Sequence, residues 1–365
     1  MPMFGSFYKD KKVFITGHSG FKGSWLVLWL IELGADIVGY ALEPPTYPNH
    51  YSLLEDLNIN STIGDIRDSR RLRESICSCR PDIVFHLAAQ PIVRQSYQNP
   101  SETFATNVMG TVNLFEACRA VESVKAVVNI TSDKCYENRE WVWPYRENDP
   151  MGGYDPYSAS KGCAELVTAS YRRSFFPLEQ FGKSHQTLIA TVRAGNVIGG
   201  GDWGEDRLVP DIMKATARRE KVIIRNPHAV RPWQHVLEPL AGYLLLGKNL
   251  AGGSKEFSGA WNFGPTEENH INVLSVVEEL RKNWDAIDYR IENDLGKPHE
   301  ASLLKLDCSK ARTQLGWRPV WDRSKTFLET GAWYREYYKS KRCLSKSQLG
   351  EYMEDAQQKQ SAWAK

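Results

Sequence analysis

The stretch "VFITGHSGFKGSWL", Val13 to Leu26, decides how the chain folds. It opens as an apolar, β-branched run that reads as a strand, and its end starts a helix-spaced apolar pattern that includes Trp25 and Trp29. Between the two, Gly17, Gly20 and Gly23 recur at every third position. Backbone without Cβ atoms can turn tightly and approach a pyrophosphate, whose charge then meets unpaired N–H groups at the positive end of a helix. Three glycines alone are a weak signal, because ordinary turns use them too. A strand before them and a helix after them turn the pattern into a dinucleotide cradle.

Outward from that point the first half alternates short strands with longer helical patterns. The strands read as "KVFITG" (12–17), "DIVGYAL" (36–42), "STIGDI" (61–66), "DIVFHLAAQP" (82–91), "AVVNITS" (126–132) and "TLIATVRAGNV" (187–197). Alternation of this kind predicts an α/β fold, a doubly wound parallel (Rossmann) sheet with helices on both faces. After Asn196 the alternation fades into "GNVIGGGDWGEDRLVP". We therefore expect a Rossmann domain over 1–195, a smaller C-terminal α/β substrate lobe mainly over 196–345 with the chain crossing between lobes, and a polar tail over 346–365. The tail has no evident apolar stripe and reads as frayed helix or disorder. Residues 175–186 read as a surface loop.

A chain of 365 residues, 42% hydrophobic and 25% charged, suits a well-packed soluble protein of two lobes. Its 46 Lys and Arg nearly balance 44 Asp and Glu, for a net charge of +2, so no global field favours nucleic acid or a membrane surface. No apolar run approaches the ~20 residues of a spanning helix, and no export signal opens the sequence, so the expected location is cytoplasmic. Seven dispersed cysteines show no zinc spacing; reduced thiols and no metal site are expected. The twelve tryptophans read mostly as core.

Two groups of residues carry chemistry. Ser132, Asp133 and Lys134 stand where the apolar run "AVVNIT" stops, an acid beside a base at a strand end. Tyr157 and Lys161, four apart in "YDPYSASK", share one face of a helix, where an ammonium favours the phenolate and the pair can take a proton from a hydroxyl. The same spacing occurs at Tyr8/Lys12 and Tyr337/Lys341, but only Tyr157 follows the Ser132 strand end within the sheet domain. Near the second strand no arginine waits for a 2′-phosphate, which favours NAD over NADP; Glu43 is a doubtful ribose ligand. Asp65 in "GDIRD" reads as a partner for the adenine amino group or as a solvated loop acid.

Taken together, "TGHSGFKG", "HLAAQP", "TNVMGT", "TSDKCY" and "YDPYSASK" resemble the extended short-chain dehydrogenase/reductase family, and "RAGNVIGGGDW" brings the resemblance closest to its nucleotide-sugar 4,6-dehydratases. The resemblance implies NAD contacts at Gly17, His18, Gly20, Phe21, Lys22 and Gly23, at Asp65 and Ile66, at Leu87, Ala88 and Ala89, and at Thr106, Tyr157 and Lys161. It implies substrate contacts at Gln90, Asn196, Arg207, Arg231 and His299, and a homodimer or homotetramer. The implied substrate is a nucleotide sugar, CDP-glucose first.

In such an enzyme Ser132 binds the sugar hydroxyl, and Tyr157 with Lys161 supports oxidation at C4. The ketone acidifies C5–H, so that one group can remove that proton while another protonates the departing C6 hydroxyl. Asp133 matches the acid of related enzymes, and Lys134 replaces their carboxylate base. Lysine starts near ~10.4 and must be depressed to accept a proton, so a water held by Lys134 is the other candidate. A GDP- or dTDP-sugar dehydratase, a 4-epimerase and a non-catalytic dinucleotide-binding regulator remain alternatives.

Overall fold

The computed structural model describes residues 3–365 apart from 55–56, 58, 267–269 and 293–302. Seven parallel strands form the central sheet: β1 (Lys12–Thr16), β2 (Asp36–Ala41), β3 (Asn60–Ile63), β4 (Ile83–His86), β5 (Ala126–Ile130), β6 (Leu188–Ala194) and β7 (Gly259–Phe263). Their spatial order is β7-β6-β5-β4-β1-β2-β3. Alternate side chains of the strands enter two separate cores. Val13, Ile15, Phe85 and Val128 pack with Trp25 and Trp29 of the helix Phe21–Glu32, whereas Phe14, Val84 and Val127 pack with Leu72, Ile76, Leu114 and Phe115. A parallel sheet buried on both faces needs such near-continuous apolar strands, which is why the sequence shows runs there rather than alternation.

The order reverses between β1 and β4, and a ligand crevice belongs outside the carboxyl ends of strands at such a point. Register brings those ends level: Thr16 pairs with His86 and His86 with Asn129, so Gly17, Leu87 and the segment before Ser132 leave the sheet side by side. A third core gathers Trp203, Ile212, Met213, Val276, Leu280, Phe327 and Trp333, all from beyond residue 195. Residues beyond 195 also return to the first core, through the edge strand β7 and the helix Leu237–Ala251.

The tail corrects its expectation. Ser345–Gln358 is a helix whose Leu349, Tyr352 and Ala356 are buried, and Trp363 is fully enclosed between Phe4, Trp29 and Tyr352. These apolar residues are few but lie three and four apart, a narrow stripe that a polar average conceals. The 175–186 segment holds a single short turn, Leu178–Gln180, and a bridge between Phe181 and His185.

Candidate active site

The cradle is built by close approach. Gly17 has φ +75°, and a Cβ there would lie 2.7 Å from the Ala88 nitrogen; one at Gly23 would lie 2.1 Å from the Gly17 carbonyl oxygen. Gly20 caps the helix Phe21–Glu32 without a side-chain bond, leaving the first-turn N–H groups available to an anion. Leu87 and Ala88 border it, their N–H groups held by the Thr16 carbonyl (3.0 Å) and hydroxyl (3.3 Å). Ile66 fills the space against Gly110, and Thr106 lies half-buried on the turn Ala105–Met109. Side chains at positions 17 and 23 would collide with this backbone, and that closeness suits a dinucleotide.

Two expected cofactor contacts are differently engaged. The His18 ring is fully buried against Gly39, with Nε2 2.7 Å from Ser61 Oγ, and burial lowers its pKa to about 4. Its side chain therefore props β2, leaving only its backbone to the cradle. The Asp65 carboxylate accepts from Arg67 Nε and Nη2 (2.9 and 2.6 Å), and that hydrogen bonding keeps it below the usual range.

Helix Pro156–Ser174 starts cleanly, with Pro156 at its first position and Asp155 accepting the Ser158 N–H at 2.9 Å. It carries Tyr157 and Lys161 to the end of β5. There Ser132 caps the turn Asp133–Cys135: its hydroxyl accepts the Lys134 N–H (3.2 Å), donates to Asp133 Oδ1 (3.1 Å) and shares a hydrogen bond with Tyr157. Asp133 is buried, and among the described residues its Oδ2 has no partner. Burial raises its pKa, against the pull of Lys134, the Ser132 bond, Arg231 and Lys22. Such a carboxyl is suited to hold a proton and deliver it. Lys134 lies half-buried beside it.

Burial also lifts the Tyr157 phenol to about 12, while the Ser132 bond and Arg207 pull it down. The expected helper, Lys161, is buried with Nζ 3.5 Å from the Ile130 carbonyl, and desolvation followed by the charge of Lys22 lowers it to about 8. Lys22 itself falls to about 8 through burial, with Asp133, Arg207 and Asp202 as its charged neighbours. Lys22, Asp133, Arg207 and Arg231 thus form one charged cluster around the Tyr157 phenol, linked to the cradle through Lys22.

Among the expected substrate contacts, Arg231 is buried on the short strand Val230–Pro232 and acts on Asp133, and Arg207 is paired with Asp202 at 2.8 Å. Asn196 is half-buried, its carbonyl accepting the Gln234 N–H. Gln90 is also held by the scaffold: its amide donates to Thr103 Oγ1 (2.8 Å) and its side-chain oxygen accepts from the Ile92 N–H (2.5 Å). Ala89 precedes it, half-buried. His299 lies outside the described residues. Among the described residues no three His, Cys, Asp or Glu side chains converge on a metal position.

Sequence reading missed Asn107, which clamps Gln90 through both backbone groups (2.8 and 3.0 Å) and donates to Ser160 Oγ (2.8 Å). This buried amide ties the exit of β4 to the Tyr157 helix.

Comparison with known proteins gives these features a context. The family described as GDP-mannose 4,6 dehydratase matches residues 14–329. The chain is 53% identical, over 95% of its length and 98% of the relative's, to a CDP-glucose 4,6-dehydratase of Salmonella typhimurium. Its fold is similar to an epimerase of Methanothermobacter thermautotrophicus (TM-score 0.78, 24% identity, 92% and 96% of the two chains). A UDP-glucose 4-epimerase of Brucella ovis solved with NAD is also similar (TM-score 0.72, 22% identity, 88% and 98%).

Proposed function

The chain belongs to the GDP-mannose 4,6 dehydratase family, within the extended short-chain dehydrogenase/reductases, and on that premise we propose that it converts CDP-D-glucose to CDP-4-dehydro-6-deoxy-D-glucose. The cofactor is NAD. When bound it supplies the redox chemistry, taking a hydride from C4 and returning one to C6.

The residues divide the remaining work. Ser132 orients the C4 hydroxyl, and Tyr157 takes its proton, helped toward the phenolate by the Ser132 bond and the field of Arg207. Lys161 and Lys22 orient the cofactor from the mouth of the cradle. Once C4 is a ketone, Lys134, or a water it holds, removes the acidified C5 proton. The C5–H electrons become the C5=C6 bond, the C6–O bond breaks, and the oxygen leaves as water with the proton of Asp133. Arg231 and Asn196 meet the diphosphate and nucleoside side of the substrate.

The observation that carries this reading is Asp133 Oδ2, a carboxylate oxygen buried without a partner on the turn that Ser132 shares with Tyr157. A 4-epimerase needs no proton donor for a leaving hydroxyl. Incubation with CDP-, dTDP-, GDP- and UDP-glucose in parallel, read as the alkaline absorbance of the 4-keto sugar, tests the function. Turnover of CDP-glucose is expected; product from another nucleotide alone reassigns the base.

Self-association belongs to the same proposal. Phe104, Met109 and Leu166 are 36, 53 and 59% exposed on the helical layer around the Tyr157 helix, apolar area that a second copy would cover. Light scattering is expected to give a dimer or tetramer. No described helix is long and apolar enough to cross a membrane, and a cytoplasmic location is proposed.

A further inference from the structure

Glu165 follows Tyr157 and Lys161 by eight and four residues, and so lies on the same face of one helix. It is buried, and its two carboxylate oxygens collect four donors. Oε1 accepts from Thr131 Oγ1 (2.5 Å) and Arg193 Nε (2.9 Å); Oε2 accepts from Thr191 Oγ1 (2.7 Å) and Arg193 Nη2 (2.8 Å). The remaining Arg193 nitrogen, Nη1, donates to Tyr136 Oη at 2.7 Å, and Tyr136 in turn donates to Asn262 Oδ1 at 2.7 Å.

Thr131 and Tyr136 are the residues immediately before and after the segment Ser132–Cys135. One ion pair therefore grips both ends of the turn that carries Asp133 and Lys134, from a helix that also carries Tyr157. The helix and the turn touch directly as well: a Cβ at Gly162 would lie 2.6 Å from the Gly152 carbonyl and 3.2 Å from that of Cys135. Gly152 is itself bonded to the turn, its N–H donating to the Cys135 carbonyl (2.9 Å).

A buried ion pair of this kind contributes little net stability compared with apolar residues of similar volume, which directs attention to the geometry it fixes. We propose that the Glu165–Arg193 pair is a positioning device that sets the elimination residues Asp133 and Lys134 in register with the oxidation residue Tyr157. The proposal rests on the dehydratase reading. Oxidation needs Ser132 and Tyr157 at C4, whereas elimination needs Asp133 and Lys134 at C6 and C5 of the same sugar. Ser132 belongs to the same turn but is tied to Tyr157 by its own hydrogen bond, so loosening the turn at its ends should harm the second step more than the first.

The test cuts each grip while leaving the ion pair in place. Thr131→Val removes the hydroxyl with little change of shape, and Tyr136→Phe does so at the other end; either suffices if the other folds poorly. Each full-length variant is assayed with CDP-glucose for complete dehydration, and with CDP-6-deoxyglucose, which can be oxidised at C4 but has no hydroxyl to lose. Thermal midpoints are recorded alongside.

The expected result is a loss in kcat for dehydration of about a hundredfold, the scale set by a small misplacement of reacting groups, with KM little changed. Nicotinamide reduction by the 6-deoxy sugar should stay close to wild type, and Thr131→Ser should recover dehydration. Parallel losses in both reactions, losses that follow the thermal midpoint, or unchanged dehydration in both variants would overturn the proposal. Wild-type protein that dehydrates no CDP-hexose would remove the functional reading and this role with it; wild-type turnover with unaffected variants removes only the role.

Discussion

Arg207 is a cation whose field draws the Tyr157 phenol toward ionisation, against burial and the Asp133 carboxylate, although Lys161 is the residue one helical turn away. The Lys161 ammonium is turned to the Ile130 carbonyl, while Arg207 stands at the start of the helix Leu208–Ala217, fixed by Asp202 at 2.8 Å.

Replacing Arg207 with methionine should move the acid limb of kcat/KM to higher pH, because removing a cation disfavours the phenolate. Arg207→Lys should recover part of the shift. A raised KM with an unmoved pH profile would make Arg207 a phosphate contact alone.

Cutting the cradle should be more severe. Gly23→Ala would bring a Cβ to 2.1 Å from the Gly17 carbonyl oxygen, a distance no small adjustment relieves. Dinucleotide affinity, measured by calorimetry, should be lost while the smaller lobe remains folded. Normal NAD binding would place the cofactor elsewhere.

The tail should act as part of the core. Trp363 is fully buried, so Trp363→Ala should cost about 3–5 kcal/mol of unfolding free energy, read by urea titration. A cost near zero would mean the C-terminal helix does not dock in solution.

Acid should loosen that docking. His50 bridges Ser24 and Ser345, each at 2.7 Å, and burial holds it neutral, its pKa down at about 3; burial lowers His86 and His235 to about 3 as well. Above the unfolded value of ~6.5 neither state binds the proton, so the stability is fully present there. As pH falls from ~6.5 toward ~3 only the unfolded chain gains protons, and each histidine removes ~1.4 kcal/mol per pH unit. Urea midpoints should drop accordingly, less steeply in His50→Gln. Midpoints independent of pH over that range would contradict the buried, neutral state.

Much of this was legible in the sequence where chemistry and local structure coincide. Gly17 and Gly23 announce a close approach of backbone, and Ser132 and Tyr157 sit where a strand ends and a helix begins. Residues whose meaning is a distant partner were not legible. Arg193 looks like one cation in "LIATVRAGNV" and Glu165 like one acid in a helix, until the fold brings them to 2.8 Å. A charge at the centre of an apolar run is the signal that was available, since burial obliges it to find a counter-ion. Gln90 shows the reverse case: a polar residue at a strand end invites a ligand, and the fold also gives its side chain bonds to Thr103 and Ile92 that the sequence does not show.

In the proposed order of steps Asp133 acts only after oxidation. Asp133→Asn keeps the size of the side chain and removes its acid, so addition of CDP-glucose to the NAD-loaded variant should raise the absorbance of reduced nicotinamide while little 4-keto-6-deoxy sugar appears. Product at the wild-type rate, or no reduction of the nicotinamide at all, would contradict it.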